Sequence, residues 1–177
     1  MLSSHARQWA GTAFRHIPAA SPYHVLDTRF AVRATNNRWH EVGDPTLYLA
    51  GDVGVALAEF ARHFQERRTS ELLLVRQRRA LYRLELRLDA VLDLRDTTVQ
   101  QALGLHGGAQ RFLDIQVARA TATFIRRTTA AQGLLVPSMA FLDNAARWNL
   151  ALCLEKLPSD LGQVITARPE GLLELRS

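Results

Sequence analysis

Strict alternation marks the clearest element of the chain. Tyr82, Leu84, Leu86 and Leu88 fall on one face, and Arg83, Glu85 and Arg87 on the other. A period of two predicts a half-buried strand over 80–88. Further strands are expected over 11–17, stopped by Pro18, and over 46–50, 91–94, 134–136, 148–154 and 163–167, each an apolar run bounded by turn residues. Helical spacing begins at Val53, after a Gly51-Asp52 turn and cap, and places Val53, Leu57, Phe60 and Phe64 on one stripe with Arg62 opposite. A short helix capped by Asp96 or Thr97 ends at Gly104, and a longer one is expected over 109–131, stopped by Gly133. Helices and strands do not alternate as a doubly wound sheet requires. The pattern therefore predicts an α+β fold, one mixed domain over 1–177.

Two features of this layout concern function. The segment from Pro18 to Pro45 is a long loop containing Arg38, Trp39 and His40, and loops of that length in a compact domain are often functional. Glu59 lies beside Ala56 and His63, at the border of the apolar helical stripe. Periodicity alone leaves it either a solvated surface carboxylate or one that looks into a cleft.

Composition narrows the classes. Of 177 residues, 47% are hydrophobic and 22% charged, which argues against disorder. No apolar run approaches a membrane span, and the N-terminal residues lack the apolar core of a secretory signal, so a cytoplasmic protein is expected. The single cysteine, Cys153, lies in an apolar run and reads as a buried thiol. The net charge of +5 is uneven: residues 1–88 hold 13 arginines against 8 acidic groups, and residues 89–177 hold 9 basic against 9 acidic groups. A nucleic-acid module built on Arg76, Arg78, Arg79, Arg83 and Arg87 is thus one reading, although Glu85 interrupts it and a solvated strand face is the simpler account.

Several enzyme classes lack their signatures. The chain has no phosphate-binding Gly-Lys-Ser/Thr loop, no Gly-x-Gly-x-x-Gly after a strand, no Gly-x-Ser-x-Gly elbow and no His-x-x-x-His pair. What it does have is an ordered series: Arg38-Trp39-His40, Gly43, Thr46-Leu47-Tyr48-Leu49-Ala50, Ala56-Leu57-Ala58-Glu59, then Gly133-Leu134-Leu135-Val136-Pro137-Ser138 and Trp148-Asn149-Leu150. In order and spacing this series resembles the RES domain family over about Thr12 to Leu154.

The resemblance implies a fold similar to ADP-ribosyltransferase toxins and a bacterial toxin that degrades NAD, paired with a helix-turn-helix antitoxin of the Xre type. It implies NAD as substrate, with no separate cofactor and no metal, and a toxin at least dimeric within its complex. The family's arginine, tyrosine, glutamate and serine map to Arg38, Tyr48, Glu59 and Ser138, and Asn149 is carried over from the strand after the serine. Trp148 and the 138–149 loop, with Phe141 and Arg147, depart from the family pattern and bear on substrate fit.

The chemistry suits these residue types. Breaking the nicotinamide–ribose bond passes through an oxocarbenium-like sugar, whose developing charge a fixed carboxylate such as Glu59 stabilises. Arg38 suits a pyrophosphate or the adjoining ribose, Tyr48 offers an aromatic face and a hydroxyl, and Ser138 and Asn149 offer hydrogen bonds to ribose or amide. Water or inorganic phosphate is the expected acceptor. Transfer of ADP-ribose to a protein remains the alternative outcome on the same fold.

Overall fold

The computed structural model describes residues 2–33, 37–67 and 77–175. Its strands are β1 (Arg7–Pro18), β2 (Thr46–Ala50), β3 (Gln77–Asp93), β4 (Gly133–Pro137), β5 (Trp148–Cys153) and β6 (Ile165–Leu175), and its α-helices are α1 (Val53–Arg67), α2 (Thr97–Ala102) and α3 (Ile115–Thr128). The strands form one sheet in the order β1-β2-β5-β4-β3-β6, and β1 also pairs with β3. That extra pairing closes five strands into a barrel-like ring, with β6 attached outside it. The architecture is the mixed α+β class expected from the pattern.

Closure depends on the length of β3. One edge pairs with β1 from Arg79 to Val91, while the other serves β6 over Gln77 to Leu86 and then β4 over Val91 to Asp93. The sequence pattern divides this stretch into strands at 80–88 and 91–94. The structure corrects it to one strand, because β1 continues alongside through Trp9↔Leu88 and Arg7↔Val91, and Gln132 Oε1 accepts from the Asp89 N–H at 2.7 Å. The same long-range pairing extends β1 to Arg7–Pro18, and carries the last strand, expected over 163–167, to Ile165–Leu175.

The alternation read from the sequence decides what fills the ring. Ala13, Leu47, Leu49, Leu84, Leu86, Leu88, Leu135, Leu150 and Leu152 are buried together on its inner face. Each leucine so buried contributes roughly 1.5–3 kcal/mol. On the outer face of β4 and β5, Leu134, Val136 and Ala151 pack against Val99 of α2, Ala118, Ala122 and Ile125 of α3, and the Trp39–Phe112 ring pair. Buried Arg126 of α3 ties this layer down, donating to both Glu155 oxygens at 2.8 Å and to Thr46 Oγ1 at 2.6 Å.

The helix expected over 109–131 is broken. Asp114 Oδ1 accepts from the Gln116 and Val117 N–H groups, capping α3 and leaving Gly108–Leu113 as a short 3-10 turn. An aspartate that competes for backbone N–H groups starts a helix better than it continues one. Gly133, expected as a stop, instead begins β4, and α3 ends where Thr129 Oγ1 donates to the Ile125 carbonyl at 2.8 Å.

The start of α1 is held by Asp52, whose Oδ1 accepts from Val55 N at 2.9 Å. Before it, Gly51 lies under the Trp148 ring: an added Cβ would come within 2.6 Å of that ring, so only glycine fits. Helix α1 buries Val55 and Ala56 most deeply, with Val53, Leu57 and Phe60 only half-buried. The buried face is therefore rotated from the expected stripe, because the helix seats Val55 and Ala56 against Ala50 and Phe141. The side chains of His63 and Phe64 lie outside the described residues.

The arginines of β3 do not share one environment. Arg79 turns inward, donating to His16 Nδ1 at 3.1 Å and covering the Phe60 ring, while Arg78 and Arg83 lie within 4.0 Å of Glu174 and 3.9 Å of Glu85. Arg76 lies outside the described residues. Cys153 is buried, and its thiol is pushed up to about 12 by that burial. No helix among the described residues is long and apolar enough to cross a membrane.

Candidate active site

Strand parity assembles the site. Register sets Tyr48 opposite Ala151, and Ala50 opposite Asn149, which on its other side faces Val136. Because successive side chains alternate, Tyr48, Asn149 and Ala151 share the outer face, while Leu47, Leu49, Leu150 and Leu152 fill the barrel. A cleft of about 330 Å³ opens over that outer face, between α1, the strands and the loop that carries Arg38.

Glu59 of α1 enters the cleft wall with its side chain 21% exposed. Its Oε1 accepts from Ser138 Oγ at 2.7 Å, Met139 N at 2.9 Å, Asn149 Nδ2 at 3.0 Å and Ala140 N at 3.4 Å. Its Oε2 accepts from Arg62 Nε at 3.2 Å, one helical turn on. The carboxylate is thus clamped through one oxygen by residues about 80–90 positions away, with the second oxygen held by Arg62 of its own helix.

The clamp follows from the chain leaving β4. After Pro137 the backbone turns, with Phe141 N donating to Ser138 O, and the loop closes where Ser138 N donates to Arg147 O at 3.1 Å. Arg147 then reaches Asp52 at 2.7 Å and lies over the Phe141 ring, so the loop that departs from the family pattern is fastened to the start of α1. Ser138 itself is fully buried behind Glu59 and does not line the cleft. Its placement is that of a residue positioning Glu59, whereas contact with ribose or amide was expected.

Tyr48 is placed differently from its expected use as well. Its ring lines the cleft, but its hydroxyl accepts from Trp39 N at 3.1 Å and sits 2.9 Å from His40 Nδ1. Burial pushes its ionisation well above the ordinary phenol range. The hydroxyl thus holds the loop and leaves the ring to the cleft. Arg38 lines the same cleft, with Nη1 donating to the Phe112 and Leu113 carbonyls at 2.7 and 2.9 Å. Glu59, Asn149, Tyr48 and Arg38 therefore meet in one cavity, and Ser138 stands directly behind it.

Two residues of β1 join them that the sequence reading did not select. Arg15 lines the cleft, donates to the Val25 carbonyl and is buried enough to bring its guanidinium down to about 10, against a partly compensating Asp27. His16 lies against the Phe60 ring; its Nδ1 accepts from Arg79 Nε, so the proton resides on Nε2, 3.3 Å from the Ala56 carbonyl. Burial first, then Arg79, lowers its imidazole below the usual range. One signal was available for Arg15: it stands two residues after Ala13, on the parity that buries Ala13 completely. A charge at a core-facing strand position is uncommon without a partner or a function.

Among the described residues no group of three or more His, Cys, Asp or Glu side chains is arranged to hold a metal ion. What the cleft does offer is one fixed carboxylate, the guanidinium groups of Arg15, Arg38 and Arg62, the last paired with that carboxylate, and an aromatic face.

The fold is similar to a chain of the crystal structure of the M. tuberculosis MbcT-MbcA toxin-antitoxin complex, with 22% identity and a TM-score of 0.71, covering 99% of this chain and 90% of that one. No curated protein matches the sequence. The RES domain model matches residues 3–174, so the clamped glutamate and its arginine-lined cleft are those of a chain that belongs to the RES domain family.

Proposed function

We propose that this protein cleaves NAD at the bond between nicotinamide and ribose. The observation that carries the reading is the clamped carboxylate of Glu59 in a cleft that also holds Arg15, Arg38 and the Tyr48 ring. In the reaction the electron pair of the glycosidic bond leaves with nicotinamide, which becomes neutral, and positive charge develops on the ribose. A carboxylate already held by Ser138, Asn149 and the 139–140 backbone needs no reorganisation to stabilise that charge. The acceptor, water or inorganic phosphate, then bonds to the anomeric carbon and gives up a proton. Arg38, held by two carbonyls, and Arg15 supply fixed positive charge for the pyrophosphate.

This reading extends to the setting. The chain acts in the cytoplasm as the toxin of a toxin-antitoxin pair, on an architecture of the ADP-ribosyltransferase type. An Xre-type antitoxin closes its cleft, and the toxin is at least dimeric in that complex. The family and the fold shared with a chain of a toxin-antitoxin complex support it.

The test is incubation of purified protein with NAD, with and without phosphate, following nicotinamide and the ADP-ribose product. Free ADP-ribose identifies water as acceptor, and a phosphorylated product identifies phosphate. Absence of nicotinamide release under either condition, and with protein acceptors added, overturns the reading. Glu59→Gln keeps the shape and loses the charge, and should lower turnover by at least ~100-fold with little change in Tm; full activity in that variant would place the chemistry elsewhere.

A further inference from the structure

A second cavity, of about 340 Å³, lies beyond the first, and Arg15, Asn37 and Tyr48 line both. The two strands beneath give the same order. Along β1, Phe14 and His16 border the first cavity and Ile17 and Pro18 the second; along antiparallel β2, Ala50 and Leu49 border the first and Leu47 and Thr46 the second. The cavities are therefore consecutive along one cleft, and the five residues from Ala50 to Thr46 span about 13 Å. Arg15, the buried guanidinium with only a partial counter-charge, stands where they join.

The far cavity differs in chemistry from the near one. Its carboxylate, Asp27, is already paired with Arg29, and its lining includes the rings of Tyr23 and Phe30, packed edge to face at 5.6 Å. These rings are 41% and 52% exposed; Arg29 lies 4.7 Å over Tyr23 while paired with Asp27, and Arg33 lies 5.9 Å over Phe30. Exposed rings at the end of a cleft with a cation at its middle are suited to an aromatic base whose phosphates lie on that cation.

Resting on the reading of the first cavity as the NAD-cleaving site, we propose that the second cavity holds the adenosine half of the substrate, with Tyr23 and Phe30 stacking on the base and Arg15 gripping the pyrophosphate between the halves. The enzyme thereby selects a dinucleotide over a nicotinamide mononucleotide that carries the same scissile bond. Tyr23 and Phe30 set specificity and stand apart from the reacting atoms.

The test compares NAD with nicotinamide mononucleotide as substrates of the wild type and of the double variant Tyr23→Ala/Phe30→Ala, with circular dichroism to check folding. The wild type should favour NAD in kcat/KM. The double variant should lose about 10-fold or more of kcat/KM for NAD, chiefly through KM, and turn over the mononucleotide at the wild-type rate. Equal use of both substrates by the wild type, or an equal loss for both in the variant, would overturn the inference while leaving the cleavage reading intact. Calorimetry with ADP-ribose gives a readout independent of turnover: binding should persist in Glu59→Gln and weaken about 10-fold or more in the double variant. Failure of ADP-ribose to bind the wild type at millimolar concentration would overturn it even if nicotinamide is released.

Discussion

The two faces of β2 and β5 are made by neighbouring residues of the same strands, yet they have opposite tasks. On the inner face Leu47, Leu49, Leu150 and Leu152 are 0–2% exposed and belong to the apolar cluster that fills the barrel. On the outer face Tyr48 and Asn149 are partly open to a cleft and make specific hydrogen bonds. The first face supplies stability through area; the second supplies position. A slip of one residue would exchange them, so the inner leucines also hold the register on which the site depends.

Substitutions at adjacent positions separate the two tasks. Leu150→Ala leaves a cavity in a fully buried position and should destabilise the protein by about 2–5 kcal/mol, read as a lower urea midpoint. Its neighbour Asn149→Ala removes one of the donors to Glu59 Oε1 and should reduce nicotinamide release by about 10–100-fold while shifting the urea midpoint little. If both variants lose stability alike, or Asn149→Ala retains full turnover, the division between the faces fails. Tyr48→Phe sharpens it: the ring stays in the cleft, but the Trp39 N–H loses its acceptor, so a loss of about 1–2 kcal/mol is expected, with the ring's contribution to the cleft retained.

The smallest expected effect is on pH. The folded pKa of His16 lies below its ordinary 6.5, so the unfolded chain binds the proton more readily. The stability contributed by neutral His16 is fully present above pH 6.5 and is lost as pH falls through the lower folded value. Protonation would also set an imidazolium against Arg79, which now donates to its Nδ1, with Arg15 nearby. Urea midpoints at pH 7.5 and 5.5 should differ in that direction, and by less in His16→Asn. An unchanged difference in that variant would assign the pH dependence to other groups.

Much of the local structure was legible because it follows local periodicity. The strand at Thr46–Ala50, the start of α1 and the alternation through β3 are as the pattern predicts. Departures occur where distant chain segments intervene. Asp89 looks like a break in β3 until β1 runs beside it, and the last strand looks short until β3 extends it. Asp114 is the exception, a local signal passed over: its side chain caps α3 where a continuous helix was expected.

The candidate site shows the same boundary. Residue types and spacing sufficed to select Arg38, Tyr48, Glu59, Ser138 and Asn149, through likeness to a family. They did not show that Ser138 is buried behind Glu59, that the Tyr48 hydroxyl is occupied by the loop, or that Arg15 joins two cavities. Hydrophobic alternation is written into neighbouring residues and survives in the bare sequence, because backbone geometry repeats every two or 3.6 positions. Which oxygen of Glu59 is clamped depends on donors 79–90 residues away in the chain, and only closure of the sheet brings those together.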